Sequence, residues 1–197
     1  SKPPSAVPGS SSAAAWSAIP PAGWSIDRSL MPTGGVTEWR GWSMASRDWW
    51  SQAAGDQNRS LFTKGTGTVA VADPDEWFDL PTGPGTFRSS LSTPPVSLAD
   101  AVPGTLQLWF DSSWRPEDLQ TATITARFDG APPITLAIWS SQPGASFKAD
   151  AENETVAMTL PAPVGASSVV LTFTLSDAAN NWWWAIDNVE VRGVSRN

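Results

Sequence analysis

Four stretches of this chain alternate between apolar and polar side chains, and that period of two restricts the fold more than any other feature. In 105–111 (TLQLWFD), Leu106, Leu108 and Phe110 share one face, with Gln107, Trp109 and Asp111 on the other. In 120–129 (QTATITARFD), Ala122, Ile124, Ala126 and Phe128 oppose Thr121, Thr123, Thr125 and Arg127. In 135–140 (TLAIWS), Leu136 and Ile138 oppose Thr135, Ala137 and Trp139; in 168–175, Val169, Leu171, Phe173 and Leu175 oppose Val170, Thr172 and Thr174. Strands of this kind belong to antiparallel sheets covered on one side, because parallel strands are buried on both faces and lose the alternation. Pro, Gly and Ala turns separate them, and no repeat of about 20–50 residues suggests a solenoid or propeller. A chain of 197 residues can bury one good core, so the expectation is a single all-β domain, a two-sheet antiparallel sandwich.

The last strand, 180–192 (NNWWWAIDNVEVR), breaks the pattern informatively. At period two, Trp182, Trp184 and Ile186 share a face, but Val189 and Val191 fall on the opposite one. One inserted residue at Asp187 and Asn188, a β-bulge, brings Trp184, Ile186, Val189 and Val191 onto the same core. It also turns Asp187 off the regular ladder, where its carboxylate or the neighbouring carbonyls could hold a cation.

Other stretches fill in the outline. Residues 1–16 are Pro, Ser, Ala and Gly with little to bury and read as a linker, leaving 17–197 as the domain. A first edge strand is expected at 24–27, a bulged strand or loop at 37–44, and a buried strand around Val69 and Val71. Between them, 45–58 predicts the one short helix, capped by Ser46, with Trp49, Trp50 and Ala53 on one face and an end at Gly55. Pro94 and Pro95 break 87–98 into short strands suited to a sheet edge.

Composition removes several function classes. The net charge is −7 with only 12 Lys and Arg and no basic run, so the electrostatic footprint of a nucleic-acid binder is missing. With no Cys and no His, disulfides, thiolate metal sites, Ser-His-Asp or Cys-His catalysis and the usual neutral-pH proton shuttle drop out. No apolar run approaches the length of a membrane span, and a monomer without membrane insertion is expected. The 13 Trp beside 7 Phe and no Tyr are too many indoles for a simple core, since each buried N–H needs a partner.

Three groups of residues are site candidates. Asp73, Asp75, Glu76 and Asp79 crowd four carboxylates into seven residues and repel unless something positive sits among them; a hard cation such as calcium would resolve this, and the other reading is a solvated acidic turn with Pro74, Arg or water as neighbours. Trp109 and Trp139, with Arg127, Gln107 and Asp111, form the polar faces of their strands. If those strands lie side by side, they supply the flat aromatic and forked donors and acceptors that a sugar requires; the other reading is a second core under a covering loop. Trp114 and Arg115, in the loop SSWRPEDLQ, are a further ligand-binding pair, and Trp182 and Trp183 could border either site. A glycanase would need two carboxylates facing across a cleft, from Asp75 or Glu76 with Asp111 or Glu117.

The closing aromatic-Ala-Ile-Asp-Asn-Val-x-Val strand resembles the last strand of secreted bacterial jelly-roll modules, the group that includes carbohydrate-binding modules, cleaved-adhesin domains and MAM-like domains. The words SSLSTP at 89–94 and the stretch 109–120 resemble the same modules, and 55–79 is similar to a segment of modules attached to secreted bacterial phosphoesterases. The resemblance covers most of 24–191. It implies a jelly-roll β-sandwich and a secreted accessory domain without catalysis of its own, binding a polysaccharide or other glycan or docking against neighbouring domains of a larger hydrolase or adhesin. It also implies a structural calcium bridging an early acidic segment, here within Asp73, Asp75, Glu76 and Asp79, and the last-strand Asp187.

Overall fold

The structure is a computed structural model that describes residues 15–53 and 55–196. Its strands are β1 (Trp16–Ser17), β2 (Ser25–Asp27), β3 (Ser43–Ser46), β4 (Thr68–Ala72), β5 (Phe87–Ser92), β6 (Val96–Ser97), β7 (Gln107–Arg115), β8 (Thr121–Phe128), β9 (Ile134–Ser140), β10 (Ala151–Thr159), β11 (Ser168–Ala178) and β12 (Trp183–Arg192). Among the described residues, α1 (Arg47–Ala53) and a second short helix that was not expected, α2 (Pro74–Trp77), interrupt them, together with 3-10 turns at Thr37–Trp39 and Arg59–Leu61. The first sheet has the order β1-β3-β4-β12-β7-β10 and the second β2-β5-β11-β8-β9, with β6 also paired to β11. Every strand pairing is antiparallel. The expected all-β jelly-roll sandwich is the observed architecture.

The alternation decides which side chains fill the space between the sheets. Leu108 and Phe110 of β7 meet Leu171, Phe173 and Leu175 of β11 and Ala122, Ile124 and Ala126 of β8, all essentially without solvent exposure. The ladder of β12 shifts register between Asp187 and Glu190, where Asn188 takes φ 51°. This is the expected bulge, and Trp184 and Ile186 are buried while Val189 and Val191 pack on the same core.

Trp183 and Ala185, on the outer side of β12, are buried too. The excursion carrying α1 lies over them, and Trp50 meets Trp183 edge to face at 5.7 Å. The adjacent indoles therefore point to opposite sides of the sheet, and neighbouring serines of β7 satisfy both. Trp184 Nε1 donates to Ser112 Oγ at 3.1 Å and Trp183 Nε1 to Ser113 Oγ at 3.0 Å.

The structure corrects the outline in four places. Ala15 is buried and Trp16 pairs with Ala45, so the fold begins before residue 17; residues 1–14 of the expected linker lie outside the described residues. β5 lies inside its sheet between β2 and β11, leaving β2 as the edge. β10 was not expected, because Val156 and Met158 are its only large apolar residues and two Glu precede them.

The fourth correction reverses the faces of β9. Leu136 is an extra residue between Thr135, paired with Thr125, and Ala137, paired with Ile124. That bulge turns Trp139 inward, opposite Ala122, and leaves Ile138 48% exposed. A single inserted residue exchanges the faces of a strand, and here nothing in the residue types marks it.

The positive φ of Asn188 gives a direct test. Asn188→Val should lower the unfolding free energy by about 1–3 kcal/mol more than Asn188→Gly, since both lose the side-chain amide but only Val strains the backbone. Chemical denaturation of the two variants measures the difference, and equal losses would mean that the bulge carries no backbone constraint.

Candidate functional site

The outer face of the first sheet away from α1 carries the most concentrated set of polar and aromatic groups. Register builds it in rows. Arg192, Gln107 and Thr159 form one, Glu190, Trp109 and Ala157 the next, and Asp187, Asp111 and Thr155 the third. The β12 bulge sets this arrangement as well, since without it Val189 and Val191 would stand beside Trp109 and Gln107. The rows border a concavity of about 290 Å³ lined chiefly by Lys64, Trp109, Asp111, Thr155, Asn188, Glu190 and Arg192.

Hydrogen bonds hold these side chains in place. Trp109 Nε1 donates to Gln107 Oε1 at 2.8 Å. Asp111 accepts from Thr155 Oγ1 at 2.6 Å and from Asn188 Nδ2 at 2.8 Å. Asp187 accepts the backbone N–H groups of Thr66 at 2.9 Å and Asn188 at 2.8 Å. Asn153 accepts from the Lys64 N–H at 2.9 Å and donates to Thr63 Oγ1 at 2.8 Å, so the 63–66 loop is stitched to the sheet as a wall of the groove. Burial pushes the Asp187 carboxyl above its ordinary range, and the Asp111 carboxylate adds to this against the two backbone donors.

The Arg192 guanidinium lies 4.3 Å from the Trp109 ring centre and is tied to Glu190 by a 2.7 Å bond. Both partners of that pair are 51% exposed. A screened surface pair of this kind contributes between zero and about 1 kcal/mol, so a ligand can open it at little cost.

The acids around Asp73 are held differently from the expectation. Arg59, fully buried, donates Nε to Asp73 Oδ2 at 3.0 Å and Nη2 to Asp73 Oδ1 at 3.1 Å. It also reaches Asp75 Oδ2 at 3.0 Å and Glu76 Oε1 at 3.5 Å. Its guanidinium stands 4.4 Å from the Trp183 ring centre, and Trp50 Nε1 donates to Asp73 Oδ2 at 2.8 Å. Burial works against the charge of Arg59, but Asp73 and the other acids outweigh it and hold its proton more tightly than usual. Burial and the neighbouring Asp73 charge push Asp75 upward.

Asp79 is exposed past the end of α2. Asp187 lies level with residue 69 of β4, four residues from Asp73 and thus roughly 13 Å along the strand. Among the described residues, no three acids gather as a metal site. The five residues do not fit the implied calcium, and Arg59 meets the charge that suggested it. An Arg 14 residues ahead of an acidic run is not legible as its partner.

The expected aromatic platform also divides. Trp109, Gln107 and Asp111 share the first sheet's outer face, but Trp139 belongs to the second sheet and faces the core. There it meets Trp184 at 5.5 Å and Trp114 at 5.9 Å, with Lys148 Nζ 4.6 Å from its ring centre. Arg127 projects from the outer face of the second sheet, across the molecule from Trp109. Trp114 and Arg115 are the last residues of β7 and not a loop. Trp114 is fully buried, and Arg115 stacks on Trp182 at 4.1 Å and donates to the Gln57 carbonyl. Of the carboxylates weighed as a glycanase pair, Asp75 contributes to the upward shift of Glu117, but it is bound to Arg59. The groove residues that the sequence did not mark as site candidates are Lys64, Thr155, Glu190, Arg192 and Asn188, the last expected only as part of the bulge; the alternating Glu190 and Arg192 after the bulge was the available signal for two of them.

No family model matches the chain and no curated protein matches it in sequence. Solved structures do match in fold. The K1 cleaved adhesin domain of Lys-gingipain from Porphyromonas gingivalis W83 is 14% identical, with 90% of this chain and 94% of that one covered and a TM-score of 0.55. A cyclase from Fischerella sp. TAU, solved with 4-(1H-indol-3-yl)butan-2-one, is 12% identical over 92% and 90% of the two chains, with a TM-score of 0.50. TmCBM61, solved with β-1,4-galactotriose, is 12% identical over 88% and 90%, with a TM-score of 0.49. At these identities the likeness is one of fold.

Two measurements test the electrostatics. Arg59→Met should cost about 3–5 kcal/mol, because it leaves Asp73 buried and uncompensated, whereas a chelator should leave the melting temperature unchanged. A chelator-induced drop would restore a structural cation. The second is the pH profile. A carboxyl whose folded pKa is raised opposes folding when ionised, so its contribution is full below the unfolded value and is lost as pH rises through the folded one. Asp75, Asp187 and Glu117 are of this kind. Serine hydrogen bonds lower Asp27, Asp56 and Asp129, whose contribution is lost instead as pH falls through their folded values. Stability should therefore hold or rise from pH 7 to about 5 and fall only below about 4; a steady decline from pH 7 to 5 in thermal melts would contradict this assignment.

Proposed function

We propose that the protein is a non-catalytic glycan-binding module of a secreted multidomain protein, and that the Trp109 groove is its ligand site. The observation that carries this reading is an isolated, partly exposed indole on a sheet face, surrounded by fixed donors and acceptors. Sugars present an apolar C–H face and a rim of hydroxyls. Trp109 offers the surface for the first, once Arg192 swings aside, while Asp111, Thr155, Glu190 and Lys64 meet the second. Most other indoles of the chain are taken up by packing, which singles Trp109 out.

A second reading, a docking domain of a larger hydrolase or adhesin, draws on β9. This edge strand has no charged residue, and Ile134, Ile138 and the bridged Phe147 are 39%, 48% and 54% exposed. Bare apolar edges invite pairing with another chain or domain.

Calorimetric titration of the chain against a panel of oligosaccharides, with reducing ends assayed on the same samples, tests the proposal. Saturable binding without release is expected. Trp109→Ala should weaken it at least about tenfold with little change in melting temperature, while Trp139→Ala should destabilise the fold by about 3–5 kcal/mol. A glycan bound equally well by Trp109→Ala would remove the groove from the argument, and no binding to any glycan would favour the docking role.

A further inference from the structure

The outer face of the second sheet holds another groove, of about 430 Å³, on the side of the molecule opposite Trp109. Its floor follows from the strand register. Ser25, Ser92, Thr172, Thr125 and Thr135 stand level on five successive strands, β2-β5-β11-β8-β9. The next row repeats the pattern with Ser90, Thr174 and Thr123. Cross-strand hydrogen bonds fix the hydroxyls, with Ser92 Oγ to Thr172 Oγ1 at 2.8 Å and Ser90 Oγ to Thr174 Oγ1 at 2.7 Å. Pro95 and Pro133 are among the lining residues, and Arg127, beside Val170, completes the row next to the hydroxyls.

Arg127 is exposed, and among the described residues no carboxylate forms an ion pair with it. Asp129, two residues on, is occupied by the backbone and side chains of Ser167 and Ser168. Asp27, on the same sheet, is two rows and three strands away, roughly 20 Å at the spacings of a β-sheet. In a chain of net charge −7, Arg127 thus presents a guanidinium without an ion-pair partner beside a hydroxylated floor, with the Asp129 carboxylate one row further along and turned to Ser167 and Ser168.

We infer that this groove is a second saccharide site, and that its ligand is a short acidic oligosaccharide laid across the strands with one uronate carboxylate held by Arg127. The strands are spaced about 4.8 Å apart, close to the rise of one pyranose in an extended glycan, so successive hydroxyls meet successive sugars. Among the described residues, no aromatic side chain lines the groove. A neutral glycan would have no ring to stack on and would only exchange water hydrogen bonds for protein ones, with small net gain. A carboxylate changes this, because the guanidinium fork takes it through two charge-assisted bonds. The overall negative charge disfavours long polyanions, which limits the ligand to a few residues.

The test is calorimetric titration of the full chain with tetragalacturonate and with the same tetramer after reduction of its carboxyl groups to alcohols. Wild type should bind the acid and bind the reduced tetramer at least about tenfold more weakly. Arg127→Gln should lose at least about tenfold for the acid with an unchanged melting temperature, since the side chain is exposed. Trp109→Ala should leave acid binding unaltered, which separates this groove from the one on the first sheet. Three results would each overturn the inference: no binding of the acid, equal binding of both tetramers, or binding lost with Trp109→Ala and retained with Arg127→Gln.

Discussion

The bulge in β12 is the constraint on which both faces of the first sheet depend. β12 lies between β4 and β7, so its register sets what each neighbour meets. One extra residue at Asn188 keeps Trp184, Ile186, Val189 and Val191 in a single core and places Glu190 and Arg192 beside Trp109 and Gln107. Removing it would bury Glu190 and Arg192 and expose two valines. Core packing and groove composition are thus two consequences of one backbone feature. Asn188 contributes to both, through its left-handed φ and through an amide that donates to Asp111.

The unusual number of indoles is absorbed in pairs that exploit the two sides of one sheet. Trp184 joins Trp42, Trp114 and Trp139 between the sheets, while Trp183 turns outward under α1 to meet Trp50 and Arg59. A buried indole N–H costs free energy unless it is bonded. Ser112, Ser113 and Asp73 accept three of them. Arg59 has its place in the same layer. Its guanidinium joins an aromatic wall to the carboxylates that open α2, so the excursion after β3 and the turn after β4 are held by one buried charge and its partners.

That arrangement leaves the molecule with two contrasting outer surfaces. One is aromatic and mixed in charge, the other hydroxylated, with Arg127 of β8 and Arg88 of β5 beside the hydroxyl rows. A sandwich that spends its inner faces on packing has only its outer faces, loops and edges left for recognition. The large number of Trp is misleading as a guide to function, because most of the indoles are taken up in packing.

What the sequence determined by itself was whatever follows from period and local chemistry. Alternation in β7, β8 and β11 gave the strands and their inner faces correctly, since period two leaves no freedom once one face is buried. The mismatch between Ile186 and Val189 called for a bulge, and Trp49 and Trp50 after Ser46 made 45–58 the best candidate for a helix, which forms at Arg47–Ala53. Only the tertiary structure decided what depends on partners distant in the chain. It placed Trp109 and Trp139 on different sheets, reversed β9 by an inserted Leu136 that no residue type announces, and set Arg59 among acids 14 to 17 residues away. Those outcomes come from strand order and long-range packing, in which the free energy belongs to pairs of residues that no local pattern joins.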